Sequence, residues 1–205
     1  MFLLIKLLPL LLSSLTLLQL STAGDPDILT DFISPPPNPP DASFFTFTAF
    51  RSLLEGSNLT TTFTAIKATM AEFPALNGQS VSLAALRFPS ATANPPHTHP
   101  RAAELLFLVS GALEVGVVDT TNKLFTRTLR AGDMFVFPKG LVHFQYNAWE
   151  EAALGFSAFG SANAGLVSLP ATLFGTEIDD EVLAKGFKTD VDTVRGLKAG
   201  LATKH

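Results

Sequence analysis

The chain has 205 residues, 47% of them hydrophobic and 16% charged, with a formal net charge of −4. Mild acidity argues against a nucleic-acid partner, which calls for a basic surface. With no cysteine present, disulfides and thiolate metal ligands are excluded. The length suits one domain around one core.

Met1 to Leu20 carries a single charge, Lys6, within a Leu-rich run that closes on Ser21-Thr22-Ala23 before the polar Gly24-Asp25-Pro26-Asp27. This composition predicts a secretory signal peptide over 1–23 and a mature domain over 24–205. Pro9, Ser13, Ser14 and Thr16 interrupt the run, and no stop-transfer charges follow, so a retained membrane anchor is disfavoured. Processing removes Lys6 and leaves a slightly more acidic, extracellular protein. Ser34 to Pro40 is proline-rich and predicts a stiff, extended connection.

Phe45, Phe47 and Ala49 alternate with Thr46, Thr48 and Phe50, the pattern of a half-buried strand. Asn58-Leu59-Thr60 is the sole Asn-x-Ser/Thr sequon. It follows Glu55-Gly56-Ser57 in an expected exposed loop, which marks Asn58 for N-glycosylation in a secreted chain. Val81 to Phe88 is an apolar run. Leu105–Val109 and Ala112–Val118 flank Ser110-Gly111, which predicts a tight hairpin. Further strands are expected over Lys123–Arg130, Met134–Phe137, His143–Tyr146 and Ala152–Phe159. Short strands between turn residues favour a β-sandwich or barrel, here over about 44–170, rather than a parallel α/β fold. A helical segment closes the chain over about 176–201. Ile178, Val182, Leu183 and Phe187 share one face, and Val191, Val194, Leu197 and Leu201 share another, with Thr189-Asp190 as a start. Periodicity alone leaves open whether these faces pack on their own barrel or on another subunit.

Three of the four histidines form one constellation; the fourth, His205, ends the chain. His97 and His99 stand two apart in Asn94-Pro95-Pro96-His97-Thr98-His99-Pro100-Arg101-Ala102-Ala103-Glu104. His143 follows in Gly132-Asp133-Met134-Phe135-Val136-Phe137-Pro138-Lys139-Gly140-Leu141-Val142-His143. Residues two apart on a strand face the same way, so His97 and His99 can aim at one point, with Glu104 and His143 joining them. A lone histidine in an apolar strand is usually a packed residue. Burying three imidazoles and a carboxylate in so apolar a setting without a partner would cost several kcal/mol. A cation removes that cost, and the donor set suits Mn, Fe, Co, Ni or Zn.

Both segments resemble the two signature motifs of the cupin superfamily, in the version of the plant germin-like proteins. His97, His99, Glu104 and Gly111 meet the first motif; Gly132, Pro138, Gly140, His143 and Asn147 meet the second. The resemblance runs from about Asp25 to the segment Asp180–Phe187, nearly all of the mature chain. It implies an all-β fold with C-terminal helices: a single cupin jelly-roll β-barrel. It also implies Mn(II) held by His97, His99, Glu104 and His143, a homohexamer built as a trimer of dimers, and secretion to the apoplast and cell wall. The chain departs from the family in two places. Where most relatives carry an N-terminal disulfide, it reads Asp31-Phe32-Ile33. Where the germins that oxidise oxalate place two asparagines beside the metal, it keeps Asn94, a small-anion contact, but has Ala84 in place of the other. Losing that amide removes a donor worth ~1–3 kcal/mol to an anionic substrate, which argues against oxalate oxidation. Superoxide dismutation needs only an accessible redox metal and survives the loss. A non-enzymatic wall-associated or receptor-like protein with a structural metal is the alternative, as is a nutrient reservoir. Sparse Asn, Gln and Arg count against storage.

Overall fold

The computed structural model describes residues 24–35, 39–53 and 60–202; the expected signal peptide, the sequon at Asn58 and the terminal His205 lie outside the described residues. Among the described residues ten strands form two antiparallel sheets. The first has the order β1 (Thr64–Ala68), β2 (Ser82–Phe88), β9 (Ala153–Phe159), β4 (Glu104–Ser110), β7 (Met134–Phe137). The second has the order β10 (Val167–Ser168), β3 (Ala93–Thr98), β8 (Val142–Tyr146), β5 (Ala112–Val118), β6 (Leu124–Arg130). This is the jelly-roll arrangement that the motifs imply.

Period-two alternation builds the core between the sheets. Along β4, Leu106 and Leu108 are fully buried while Leu105, Phe107 and Val109 face outward. Leu113, Val115 and Val117 of β5 meet them from the other sheet, with Phe88 and Phe137 completing the cluster. Each such side chain contributes ~1.5–3 kcal/mol on burial. The polar ligands sit at the same inward parity, so the core and the site are two ends of one interior.

Two expectations are corrected. Ser110-Gly111 is no hairpin: β4 pairs with β7 and β9, and β5 pairs with β6 and β8, so the chain turns a corner there from one sheet to the other. Gly111 has φ 78°, and a Cβ on it would lie 2.8 Å from both the Ala152 carbonyl oxygen and the Ala153 Cα. Phe45 to Phe50 is no strand either. It is a turn followed by a 3-10 helix over Ala49–Leu53. Its rings instead make edge contacts, Phe47 on Phe50 and Phe50 on Phe156 of β9. Aromatic packing replaces strand pairing there, because the rings cover the sheet without joining its edge.

Three helices follow the barrel among the described residues: α1 (Leu169–Phe174), α2 (Asp180–Phe187) and α3 (Val191–Leu201). Asp179 caps α2 by accepting from the Glu181 and Val182 amides, and Asp190 caps α3 by accepting from the Thr193 amide. Leu183, Ala184 and Val194 form a core of their own with Phe174, Ile178 and Val191. The predicted stripes therefore split. Val194 and Leu183 pack helix on helix, while Val182, Phe187, Leu197 and Leu201 stay exposed.

Candidate metal centre

The site forms where the two sheets face each other. His97 on β3 and His143 on β8 are direct cross-strand partners, and Glu104 opens β4 on the opposite sheet. His99 lies one residue beyond β3. The strand carrying the first pair is irregular: Pro95 and Pro96 lack N–H donors, and the β3–β8 register shifts between Asn94 and His97. The shift re-aims His97 into the interior, where it is buried with Glu104 and His143.

One potential ligand atom from each of the four side chains lies within 4.8 Å of the others. The Nε2 atoms of His99, His143 and His97 stand 3.0, 3.1 and 4.0 Å from Glu104 Oε2. Each imidazole is oriented by its other nitrogen. His97 Nδ1 meets the Pro95 carbonyl at 2.8 Å, His143 Nδ1 meets the Leu141 carbonyl at 2.8 Å, and His99 Nδ1 meets the Gly165 carbonyl. A carbonyl can only accept, so each Nδ1 carries a proton and each Nε2 is the nitrogen turned toward Glu104, where a proton can bridge it to the carboxylate or a metal can take that proton's place. Three Nε2 atoms and a carboxylate oxygen thus face one point, an arrangement that a cation satisfies. Phe137 stacks on His143 at 4.4 Å and Phe159 meets His99 edge-on at 4.8 Å, which limits ring rotation.

Electrostatics keep the donors ready. Burial raises the Glu104 carboxyl, but hydrogen bonds from His143, His99 and Ser157 overcome it and hold the group down to about 2. Burial, joined by the neighbouring His143, lowers His97 to about 4. Glu104 is thereby anionic and His97 neutral near pH 7, the forms that bind metal. The other carboxylate oxygen, Oε1, is already engaged: Ser157 Oγ donates to it at 2.6 Å and Gln145 Nε2 at 3.0 Å. Oε2 alone is left for a metal.

Asn94 extends this network, its Nδ2 donating to Gln145 Oε1 at 2.7 Å and lying 3.4 Å from His97 Nε2. It lines the cavity beside the ligands, as does Ala84 on β2. Asn147, the last motif residue, serves the fold. Its amide donates to the Phe88 and Glu151 carbonyls at 2.9 and 2.8 Å, and its Oδ1 accepts from the Trp149 amide. Sequence reasoning passed over Gln145 and Ser157. Gln145 had a signal, since two residues past His143 on one strand it must share that residue's face. Ser157 had none, because only sheet pairing brings β9 to Glu104.

The sequence profile of the cupin family matches residues 54–195. Germin-like protein 9-3 of Oryza sativa subsp. japonica is 64% identical over 187 residues, 87% of each chain. The chain is a germin-like protein of the cupin family. Germin-like protein 5-1 of the same organism is 39% identical over 197 residues, covering 90% of this chain and 89% of that one. Among solved structures, an oxalate oxidase superposes with a TM-score of 0.77 at 33% identity, covering 88% of this germin-like chain and all of the other. Procruciferin, an 11S globulin of Brassica napus, shares the fold at a TM-score of 0.63 with 18% identity.

Proposed function

We propose that this germin-like protein is a secreted, Mn(II)-binding oxidoreductase of the apoplast that acts on superoxide and turns over little or no oxalate. The observation that carries the reading is the convergence of three Nε2 atoms and Glu104 Oε2, with each imidazole locked through Nδ1. Mn(II) held by three imidazoles and one carboxylate supplies one-electron redox change with coordination positions left for a small ligand.

The chain's own residues do the rest. His97, His99, His143 and Glu104 hold the ion, while Ser157 and Gln145 fix which oxygen of Glu104 faces it. Asn94 lines the cavity, and its amide, one N–H of which goes to Gln145 Oε1, would offer the other to a bound anion. Phe137 and Phe159 keep bulk water off two of the imidazoles. Ala84 offers no donor where an amide would reach a second carboxylate, so oxalate loses a contact that superoxide never uses.

Secretion with cleavage after Ala23, glycosylation at Asn58 and assembly as a homohexamer belong to the same proposal. Their support is the leader composition, the sequon and the exposed apolar faces.

Metal analysis of protein secreted from a plant host, with superoxide and oxalate turnover measured on the same sample, tests the reading. Stoichiometric manganese with superoxide turnover is expected, and His99→Ala should remove both. Unchanged metal content in that variant would show the ligands to be misassigned.

A further inference from the structure

The cavity that opens onto His97, His99 and Glu104 encloses about 290 Å³. A water molecule takes ~30 Å³ of liquid, so a two-atom anion leaves most of this space unfilled. The floor of the cavity is the inner face of the first sheet. Across β9, β2 and β1 the register aligns Ser157 with Ala84 and Ala84 with Lys67. At one end of this row the Ser157 hydroxyl binds Glu104, and at the other Lys67 lines the cavity. Strands lie ~4.8 Å apart, so the row spans ~10 Å between the two end backbones. The adjacent row is apolar, with Leu86 aligned with Ala65, and both line the same cavity beside Phe63.

The ammonium at the far end has one acidic neighbour, Glu72, which lines the same cavity. Among the described residues Lys67 takes part in no ion pair or hydrogen bond. Glu72 is near enough to feel its charge, but Glu72 Oε2 is taken by the Thr69 amide and hydroxyl at 3.1 and 2.6 Å. The cavity therefore has the candidate metal ligands at one end, the Lys67 ammonium beside a Glu72 carboxylate held by Thr69 at the other, and methyl groups between them.

We infer that it binds a short-chain α,ω-dicarboxylate, one carboxylate at the metal and the other at Lys67 Nζ, with the methylene body lying over Ala84, Ala65 and Leu86. This rests on the metal-centre reading above. Oxalate, whose two carboxyl carbons are bonded directly, is too short to reach both ends. The absence of an amide at Ala84 then has a positive use: it leaves a methyl group rather than a polar one beneath the methylene chain.

Glutarate and pentanoate are suitable probes, equal in carbon number and differing in the second carboxylate. Each is titrated into the full manganese-loaded protein, with binding followed by calorimetry and by displacement of metal-bound water in proton relaxation. Glutarate should bind about fivefold tighter than pentanoate, the size expected of a partly exposed charge pair. The ratio should fall to about one in Lys67→Met and invert in Lys67→Glu, while Ala84→Leu should weaken both acids. Equal binding in the natural protein, or a preference that survives Lys67→Met, overturns the inference. A protein that holds manganese and dismutates superoxide yet shows no glutarate preference loses only the dicarboxylate site. A protein that takes up no stoichiometric metal loses the metal centre, and this inference with it.

Discussion

His97 is buried as a neutral base, with its pKa lowered to about 4 from an ordinary 6.5. In the metal-free protein this depression has a defined thermodynamic sign. Between pH 6.5 and about 4 the unfolded chain takes up a proton at His97 that the folded chain refuses, so stability falls as pH falls through that window. Glu104, lowered from 4.5 to about 2, contributes stability above pH 4.5 that is lost on further acidification. Denaturant midpoints of the metal-free protein should therefore drop between about pH 7 and 4.5, and His97→Gln should flatten that part of the curve. A midpoint that rises on acidification would contradict the buried, neutral assignment. Ala84 yields a second expectation at this scale. Because its Cα pairs with Ser157 and it lines the cavity, Ala84→Asn should raise hydrogen peroxide production from oxalate above the low level of the natural protein. The added donor is worth ~1–3 kcal/mol, or about five- to 150-fold. Robust oxalate turnover by the unmodified chain would remove the argument from the missing amide.

At the scale of elements, the corner between β4 and β5 decides that the barrel has two sheets. Gly111 holds a positive φ of 78° and has backbone against the space a Cβ would fill, with Ala152 O and Ala153 Cα at 2.8 Å. Gly132 has a φ of 96° but nothing within 4 Å of its virtual Cβ. Gly111→Ala should therefore combine backbone strain with a clash and cost ~2–4 kcal/mol. Gly132→Ala should cost only the strain, ~1–2 kcal/mol. Urea unfolding of the two variants separates these contributions, and equal losses would mean that close packing at the corner adds nothing. The helical hairpin is a second unit. Lys198 Nζ meets Asp180 Oδ1 at 2.8 Å and Arg195 meets Asp180 Oδ2 at 3.1 Å, tying α3 to α2 over the Leu183–Val194 core.

Over the whole molecule, two apolar faces lie uncovered on a single chain. Leu105 and Phe107 of β4 pair across the sheet with Val136 and Met134 of β7, and all four face outward, as does Val109. Val182, Phe187, Leu197 and Leu201 add a second exposed group on the helices. Contiguous patches of this kind mark association surfaces, and the chain has no cysteine staple to compensate for leaving them wet. Covering them with other copies of the chain gains roughly 25 cal/mol per Å² of apolar area. Light scattering of the purified protein should show a homo-oligomer, the proposed hexamer. Charges introduced by Val136→Glu with Met134→Lys should reduce it to smaller species without loss of metal. Deleting Asp190 to His205 should do the same through the helices. A natural protein that runs as a monomer at micromolar concentration would end the idea.

The sequence by itself determined the grouping of His97, His99, Glu104 and His143, the all-β class and the start of the last helix. Each is written in local spacing: His97 and His99 two apart, apolar alternation along β4, and Asp190 ahead of its helical face. Spacing could not say which strand Leu105–Val109 would pair with, because a Gly turn reads alike whether the chain doubles back or crosses between sheets. The alternation over Phe45–Phe50 misled for a related reason. Aromatic residues at both parities pack equally well as a 3-10 turn laid on a finished sheet. Tertiary structure alone decided that Ser157 and Gln145 commit one oxygen of Glu104 and that Lys67 stands in one row with Ala84. Those contacts join residues distant in the chain, and they exist only once the strands carrying them are in register.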